Sequence, residues 1–136
     1  MNEEPHVTKV REALDAFLRG DVDTAFVNCA ANAVWHVLNG PFAGDYSQDG
    51  YRRMLATSWA QHYGEPAVEV WGTRGVGDEL VVTEVRETGT HPDGSPYDAT
   101  GMMISRWIGG QLVEGWGLLS GPDADIPTPV IVAASV

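Results

Sequence analysis

The sequence contains charged side chains that could transfer protons or polarise a substrate within apolar surroundings. On the last predicted strand, Glu114 shares a face with Trp116 and Leu118, because successive side chains alternate between the two faces of a strand. A carboxyl group among such neighbours has a raised pKa and can act as a general acid or base. The alternative is a glutamate at the rim of a hairpin that pairs with an arginine.

Arg86 and Asp98 complete this group of catalytic candidates. The guanidinium group of Arg86 can polarise a carbonyl or epoxide oxygen, or hold Glu84 or Glu114 in place. Asp98 comes just after Pro96-Tyr97 and is predicted to project into the wide end of the fold. A surface ion pair for the arginine and a solvated hairpin position for the aspartate are the alternatives.

Aromatic and apolar side chains are the predicted contacts for a substrate. Five tryptophans are many for a chain of 136 residues, and each supplies a large ring together with one N–H donor. Such rings can grip a flat hydrophobic molecule and direct one of its oxygen atoms. The predicted substrate-binding residues are Trp35, Val37, Tyr51, Trp59, His62, Met103, Trp116 and Leu118. Ordinary core packing is the alternative for several of them.

The histidines and the cysteine indicate neither a metal site nor a thiol catalyst. The four histidines have no ligand spacing, and no carboxylate cluster accompanies them. His36 alternates away from Trp35 and Val37, so it is predicted to be a structural or interface residue. Cys29 is the single cysteine and has no neighbouring base in the sequence. No nucleotide-binding motif is apparent, and no cofactor is expected.

The elements that must position these residues follow an α+β pattern, with helices first and strands after. Apolar residues recur at helical spacing from Val7 to Arg19, and Gly20 ends this helix. After Pro66, glycine and proline turns separate β-branched and aromatic runs, which predicts a meander of hairpins. The remaining predicted elements are helices over Asp23–Ala30 and Tyr51–Tyr63, a polar loop over 41–50, and strands over Ala33–Leu38, 67–76, 80–90, 97–107 and 111–120.

Length and charge limit the organisation of the chain and its partners. A chain of 136 residues is typical of a single domain, here 1–136, with a core over about 7–120 and an extended tail over 121–136. The net charge of −11 disfavours nucleic acid and membrane surfaces as partners. The polar, acidic start of the sequence differs from a secretory signal, so a cytoplasmic location is expected.

Four short sequence motifs occur along the chain in a recognisable order. They are Gly20-Asp21-Val22-Asp23, Val34-Trp35-His36-Val37, Gly40-Pro41-Phe42-Ala43-Gly44 and Gly110-Gln111-Leu112-Val113-Glu114-Gly115-Trp116. Together they resemble the SnoaL-like branch of the nuclear transport factor 2 (NTF2) superfamily. The resemblance runs from about Val7 to Ser120 and implies a cystatin-like cone, in which N-terminal helices pack in a strongly curved antiparallel sheet. This fold hosts cyclases, isomerases, epoxide hydrolases and non-catalytic modules.

The resemblance also implies where the catalytic residues of relatives would fall. The general base of ketosteroid isomerase-like members falls at Val37, and the histidine of the polyketide cyclases falls near Met103. The last acid of the cyclases and of limonene epoxide hydrolase-like members falls near Leu118. Arg86 falls near the arginine of the latter group, whereas Thr88 stands in place of its second acid. Apolar or neutral side chains therefore replace the familiar proton-transfer residues.

These observations leave three hypotheses for function. The favoured one is a cofactor-independent enzyme that acts on a polyketide-, terpenoid- or steroid-like molecule by cyclisation, isomerisation or epoxide opening. The second is a non-catalytic binding protein for a hydrophobic metabolite, and the third is an assembly module. The resemblance further implies a homodimer through the outer face of the sheet, where Trp71 and Trp107 are predicted to lie.

Overall fold

The computed structural model describes residues 4–39, 42–62, 67–90 and 93–120, excluding the side chains of 57–62, 67 and 97. The predicted tail over 121–136 lies outside the described residues, as do the side chains of Trp59 and His62. The elements in chain order are α1 (Pro5–Leu18), α2 (Val22–Ala25), β1 (Cys29–Val37), β2 (Gly44–Ser47), α3 (Gln48–His62), β3 (Ala67–Val76), β4 (Leu80–Thr90), β5 (Pro96–Ile108) and β6 (Gln111–Ser120). None of the described helices is long and apolar enough to cross a bilayer.

The strands form one curved, open sheet in the order β2-β1-β6-β5-β4-β3. Strands β3 to β6 run as the predicted antiparallel meander. Strand β1 lies between β2 and β6, antiparallel to the first and parallel to the second. The predicted α+β class is confirmed, but the sheet is mixed rather than purely antiparallel because β1 runs in the same direction as β6.

The predicted boundaries are confirmed for β3, β4 and β6 and hold to within one residue for β5, whereas the elements before β3 differ more. The second helix ends at Ala25 instead of Ala30, and β1 begins at Cys29 instead of Ala33. The loop predicted over 41–50 contains β2, which pairs Tyr46 with Trp35. Tyr46 is only 2% exposed, and its hydroxyl donates to the Phe42 carbonyl at 2.5 Å. This buried tyrosine holds a mostly polar segment against β1.

Helix α1 ends where the sequence predicts. Gly20 adopts a φ of 85°, its N–H donates to the Phe17 carbonyl, and the Asp21 N–H donates to the Ala16 carbonyl at 2.9 Å. The Asp21 carboxylate then caps α2 by accepting a hydrogen bond from the Thr24 N–H at 3.3 Å. This turn returns α2 to pack beside α1.

The sheet has an inner face, which packs against the helices, and an outer face, which turns away from them. On β4, the odd-numbered Val81, Thr83 and Val85 are at most 3% exposed and belong to the inner face. The even-numbered Arg86 is exposed and belongs to the outer face. Because side chains alternate along each strand, the register carries these two faces across the sheet.

Buried residues on the inner face form two clusters with Trp35 packed against both. The larger cluster contains Trp107, which is 6% exposed and whose indole N–H donates to Ser105 Oγ at 2.9 Å. The prediction that Trp107 lies on the outer face is wrong, because Trp107 clusters with Val81 of the inner face and with Val7 of α1. Trp71, by contrast, is 53% exposed.

Candidate functional site

A cavity of about 250 Å³ lies between the inner face of the sheet and the helices. This volume is close to the lower end, roughly 300 Å³, of ordinary small-molecule pockets. The lining is mostly apolar and includes side chains from all three helices and the long strands, among them Leu14, Phe17, Phe26, Met54, Leu55 and Val68. The cavity is therefore suited to one small hydrophobic molecule.

Two glycines of β6 make room for this cavity on the inner face. A Cβ atom at Gly115 would lie 2.6 Å from Cζ3 of Trp35, so the indole ring can cross β6 here only because no side chain is present. A Cβ atom at Gly117 would meet no heavy atom within 4 Å, and Gly117 borders the cavity. The open space thus lies over the glycine face of β6 and not over its large side chains.

Aromatic rings form one wall of the cavity. The rings of Trp35 and Tyr51 stack with centroids 4.4 Å apart and planes within 2° of each other. Phe26 contacts both rings edge-on, at centroid distances of 5.8 Å and 6.2 Å. Burial raises the pKa of the Tyr51 hydroxyl, and the charge of Glu87 adds to this shift. Tyr51 is therefore a neutral phenol near a carboxyl group.

Glu87 is the only acidic side chain among the described residues that border the cavity. It lies on the inner face of β4, two residues after Val85, and is paired with Val68 of β3 and Ala99 of β5. Burial among these apolar neighbours raises the pKa of the Glu87 carboxyl. No hydrogen bond or ion pair joins this carboxyl to another side chain that the structure describes. Such a carboxyl group is suited to donating a proton and taking it back.

The other polar groups around the cavity are already engaged or weakly reactive. Lys9, the only basic side chain among the described lining residues, donates to the Gly110 carbonyl at 2.9 Å. Burial raises the pKa of the Cys29 thiol to about 11, which disfavours the nucleophilic thiolate. The indole N–H of Trp35 is buried and meets no acceptor within the described ranges. In the same ranges, no group of three or more His, Cys, Asp or Glu side chains is placed to hold a metal ion.

The structure brings most of the predicted substrate-binding residues to the cavity. Those that border it are Trp35, Val37, Tyr51, Met103, Trp116 and Leu118. The side chains of Trp116 and Leu118, however, belong to the outer face of β6, because Gly115 and Gly117 occupy the inner face. The Trp116 ring lies against the imidazole of His36, with centroids 5.7 Å apart.

Glu114 also lies on the outer face, contrary to the expectation that it faces the cavity. Its Oε2 is 2.7 Å from Nε2 of His36, and its Oε1 accepts from Arg106 at 3.2 Å. The other imidazole nitrogen, Nδ1, is 2.7 Å from the Asp45 carboxylate. Asp45 and Glu114 together raise the pKa of His36. The expectation failed because it assigned the large side chains of β6 to the inner face.

Arg86 and Asp98 form an ion pair on the outer face and do not border the cavity. The two hydrogen bonds from the guanidinium group to the carboxylate are 3.1 Å and 2.8 Å long. The side chains are 44% and 48% exposed, and Arg86 lowers the pKa of Asp98. The surface ion pair, considered above as the alternative for the arginine, is the arrangement that the structure contains.

Glu87 is not among the residues predicted above, although the alternation along β4 contains a usable signal. The even positions carry the charged residues Glu84 and Arg86, whereas the odd positions from 81 to 85 carry valine and threonine. The less charged face of a half-buried strand is normally the inner one. This pattern predicts that Glu87 points inward. Glu87 lies between Arg86 and Thr88, the two positions at which the resemblance to limonene epoxide hydrolase-like members places catalytic residues.

Helices packed inside a curved, open sheet around an apolar cavity define the NTF2-like class of folds. A sequence profile of the SnoaL-like domain matches residues 10–115, and the chain therefore belongs to the SnoaL-like domain family. This match confirms the resemblance that the short sequence motifs indicated. Among curated protein sequences, none is significantly similar to the chain.

Solved structures with low sequence identity share this fold. An NTF2-like protein of unknown function from Burkholderia pseudomallei superposes with a TM-score of 0.75 at 18% identity, covering 86% of this chain and 92% of the other. IdmH from Streptomyces antibioticus, to which a polyketide cyclase activity is ascribed, gives 0.74 at 22% identity, with 90% and 96% covered. AclR from Streptomyces galilaeus, to which a hydroxylase activity is ascribed, gives 0.69 at 16% identity, with 93% and 92% covered. At these identities the likeness extends to the fold alone.

Proposed function

We propose that this protein is an enzyme that acts on a small hydrophobic molecule in the cavity, with Glu87 as its proton-transfer group. The observation that carries the proposal is a carboxyl group with a raised pKa on the wall of an apolar cavity. Perturbed carboxyl groups in clefts are typical of catalytic acids and bases. The substrate class is polyketide-, terpenoid- or steroid-like, and the reaction is a cyclisation, an isomerisation or the opening of an epoxide.

The proposed step begins with Glu87 in its protonated form. The carboxyl group donates its proton to a substrate oxygen or double bond, and the product then returns a proton from another of its atoms to the Glu87 carboxylate. A cyclisation or isomerisation completed in this way conserves all atoms and leaves the enzyme unchanged. The stacked rings of Trp35 and Tyr51 hold the substrate in a fixed orientation, since the apolar wall limits its possible conformations.

Membership of the SnoaL-like family and the activities ascribed to IdmH and AclR support a small-molecule enzyme. The predicted catalytic residues Glu114, Arg86 and Asp98 have no part in this mechanism, because they pair with one another or with other side chains on the outer face. The proposal therefore moves the catalytic role from the last strand to β4.

The test is a pair of matched substitutions on β4, measured with a panel of polyketide-, terpenoid- and steroid-like compounds. Glu87→Gln keeps the shape of the side chain but cannot transfer a proton, and we expect turnover, followed by mass spectrometry, to fall about 10²–10⁴-fold. Glu84→Gln, on the outer face of the same strand, is the control and should keep full turnover. Undiminished turnover by Glu87→Gln would overturn the proposal.

A non-catalytic binding protein is the second candidate function, favoured by the strongly apolar lining of the cavity. Gly117→Leu distinguishes a ligand cavity from a packing defect, because its side chain would fill open space next to the inner face. This variant should fold normally and lose both ligand binding and turnover. A compound that binds wild-type protein, is displaced by Gly117→Leu and never yields a product would favour the binding protein.

A further inference from the structure

The charged groups around the cavity are unequally available to a ligand. Lys9 is committed to the Gly110 carbonyl, which belongs to the turn between β5 and β6. Glu87 lies far along the sheet from this turn, opposite Ala99 of β5, and has no partner among the described side chains. The available charge inside the cavity is therefore negative whenever Glu87 is ionised.

The aromatic wall also favours a positive charge. The faces of tryptophan and tyrosine rings carry a negative quadrupole potential that attracts cations within about 6 Å. Trp35 and Tyr51 border the cavity with stacked rings, and Phe26 packs against their edges. The net charge of −11 gives the whole molecule a field of the same sign.

A negative charge would be poorly stabilised in the same place. Trp35 and Tyr51 supply the neutral donors of the aromatic wall, and the charge of Glu87 adds to the rise that burial causes in the pKa of the Tyr51 hydroxyl. An oxyanion held by Tyr51 would therefore also experience repulsion from an ionised Glu87. The charge of Arg52 partly offsets the rise that burial causes in the pKa of Cys29, so it acts on the cavity wall, but Arg52 is already paired with the Asp23 carboxylate. Arg11 donates to the Thr73 carbonyl.

We infer that the cavity selects hydrophobic molecules that carry, or develop during reaction, a positive charge beside Glu87. This inference rests on the proposed function and names the kind of substrate that the site takes. The charge can be permanent, as in a protonated amine, or transient. In the transient case, the Glu87 O–H bond breaks as its proton passes to an epoxide oxygen, and a C–O bond opens with its electron pair remaining on that oxygen. The resulting carbon cation faces the Glu87 carboxylate and loses a neighbouring C–H proton to it, which gives an unsaturated alcohol and restores the Glu87 carboxyl group. Reactions through an enolate, which builds negative charge, are disfavoured.

The test compares three probes that have the same naphthalene skeleton and different charge: 2-naphthylmethylamine, 2-naphthylmethanol and 2-naphthoate. Dissociation constants are measured by calorimetry at neutral pH and constant ionic strength. We expect the amine to bind at least about tenfold more tightly than the alcohol, which is the gain typical of a hydrogen bond to a charged group. The naphthoate should bind most weakly. This comparison needs only the wild-type protein.

Two variants assign the preference to its cause. In Glu87→Gln, the amine and the alcohol should differ by less than about threefold, and the alcohol should bind as it does to wild-type protein. In Glu84→Gln, which removes an equal charge from the outer face, the tenfold preference should persist. Affinity for the amine should also rise with pH as Glu87 ionises, whereas affinity for the alcohol should not. If the amine binds no better than the alcohol, or if its preference survives in Glu87→Gln, the inference is wrong.

The outcomes separate this inference from the proposed function. Loss of turnover in Glu87→Gln without any amine preference would contradict the inference and leave proton transfer by Glu87 intact. An amine preference that depends on Glu87, without turnover of any compound in the panel, would support a permanent cation as the ligand and contradict the enzyme proposal. Inhibition of turnover by the amine that is at least about tenfold stronger than inhibition by the alcohol would indicate the transient cation. If none of the three probes binds, the inference is wrong, and turnover of the panel by Glu87→Gln still decides the proposed function.

Discussion

Replacement of Gly115 by alanine tests the geometry on which the cavity depends. The added Cβ atom would lie 2.6 Å from Cζ3 of Trp35, whereas carbon atoms in contact prefer about 3.5–4.0 Å. The indole ring would therefore have to move by about 1 Å. It cannot do so freely, because Tyr51 stacks on the ring at 4.4 Å and Phe26 contacts it edge-on.

The expected cost has two parts. Overpacking a well-packed site costs about 1–3 kcal/mol, and disruption of an aromatic pair costs about 0.5–1.5 kcal/mol. We therefore expect Gly115→Ala to lower the free energy of unfolding by about 2–4 kcal/mol. Urea denaturation, followed by tryptophan fluorescence and by circular dichroism, measures this change.

Gly117→Ala is the matched control, since both glycines lie on the inner face of β6. The new methyl group at Gly117 would meet no heavy atom within 4 Å. Neither glycine has a positive φ, so alanine fits the backbone at both positions. The control should be neutral or stabilising by about 0.4–1 kcal/mol, because alanine restricts the unfolded chain. Equal stability of the two variants would refute the position of Trp35 over β6 and, with it, the assignment of the inner face.

Three further predictions concern the outer face and the edge of the cavity. The Asn39 amide exchanges two hydrogen bonds, of 2.6 Å and 2.8 Å, with the backbone of Leu119. Asn39→Ala should therefore lower the free energy of unfolding, measured in urea, by about 1–3 kcal/mol. An unchanged midpoint of urea denaturation would contradict this pairing. His36 has a raised pKa in the folded protein, so its contribution to stability is fully present below about pH 6.5 and is lost as pH rises through the raised value. His36→Gln should therefore flatten the curve of unfolding free energy against pH between about pH 5 and 8. An unaltered curve would contradict the pairing of His36 with Asp45 and Glu114. Arg86→Ala should change the free energy of unfolding by less than about 1 kcal/mol and leave turnover unaffected, because the ion pair of Arg86 with Asp98 is exposed. A large loss of turnover would restore the arginine as a catalytic candidate.

The sequence alone determined the strands of the second half, the end of α1 and the family. Strand lengths in the second half follow from turn residues between β-branched runs, because glycine and proline interrupt strands at fixed positions. The end of α1 follows from Gly20, which adopts the positive φ that such a helix end requires. The SnoaL-like family follows from the order of the short sequence motifs, and the match to the family profile supports it. Each of these features depends on neighbouring residues, and neighbours are visible in a sequence.

The tertiary structure decided which side of β6 faces inward. Alternation shows that Glu114, Trp116 and Leu118 share a face, but the same alternation is compatible with either face being buried. The decision comes from the parallel pairing of β1 with β6, which lays the Trp35 ring over Gly115. No local pattern contains this contact, because its partners are 80 residues apart in the chain.

The same contact explains why the carboxyl group of the site was sought on the wrong strand. Large apolar side chains on β6 were interpreted as the lining of a cavity, although open space forms where side chains are smallest. Once the glycine face of β6 is the inner one, the register through β5 turns the odd positions of β4 inward and places Glu87 at the cavity. Sequence spacing therefore fixed which residues of β6 share a face, and only packing between distant strands fixed which of the two faces borders the cavity.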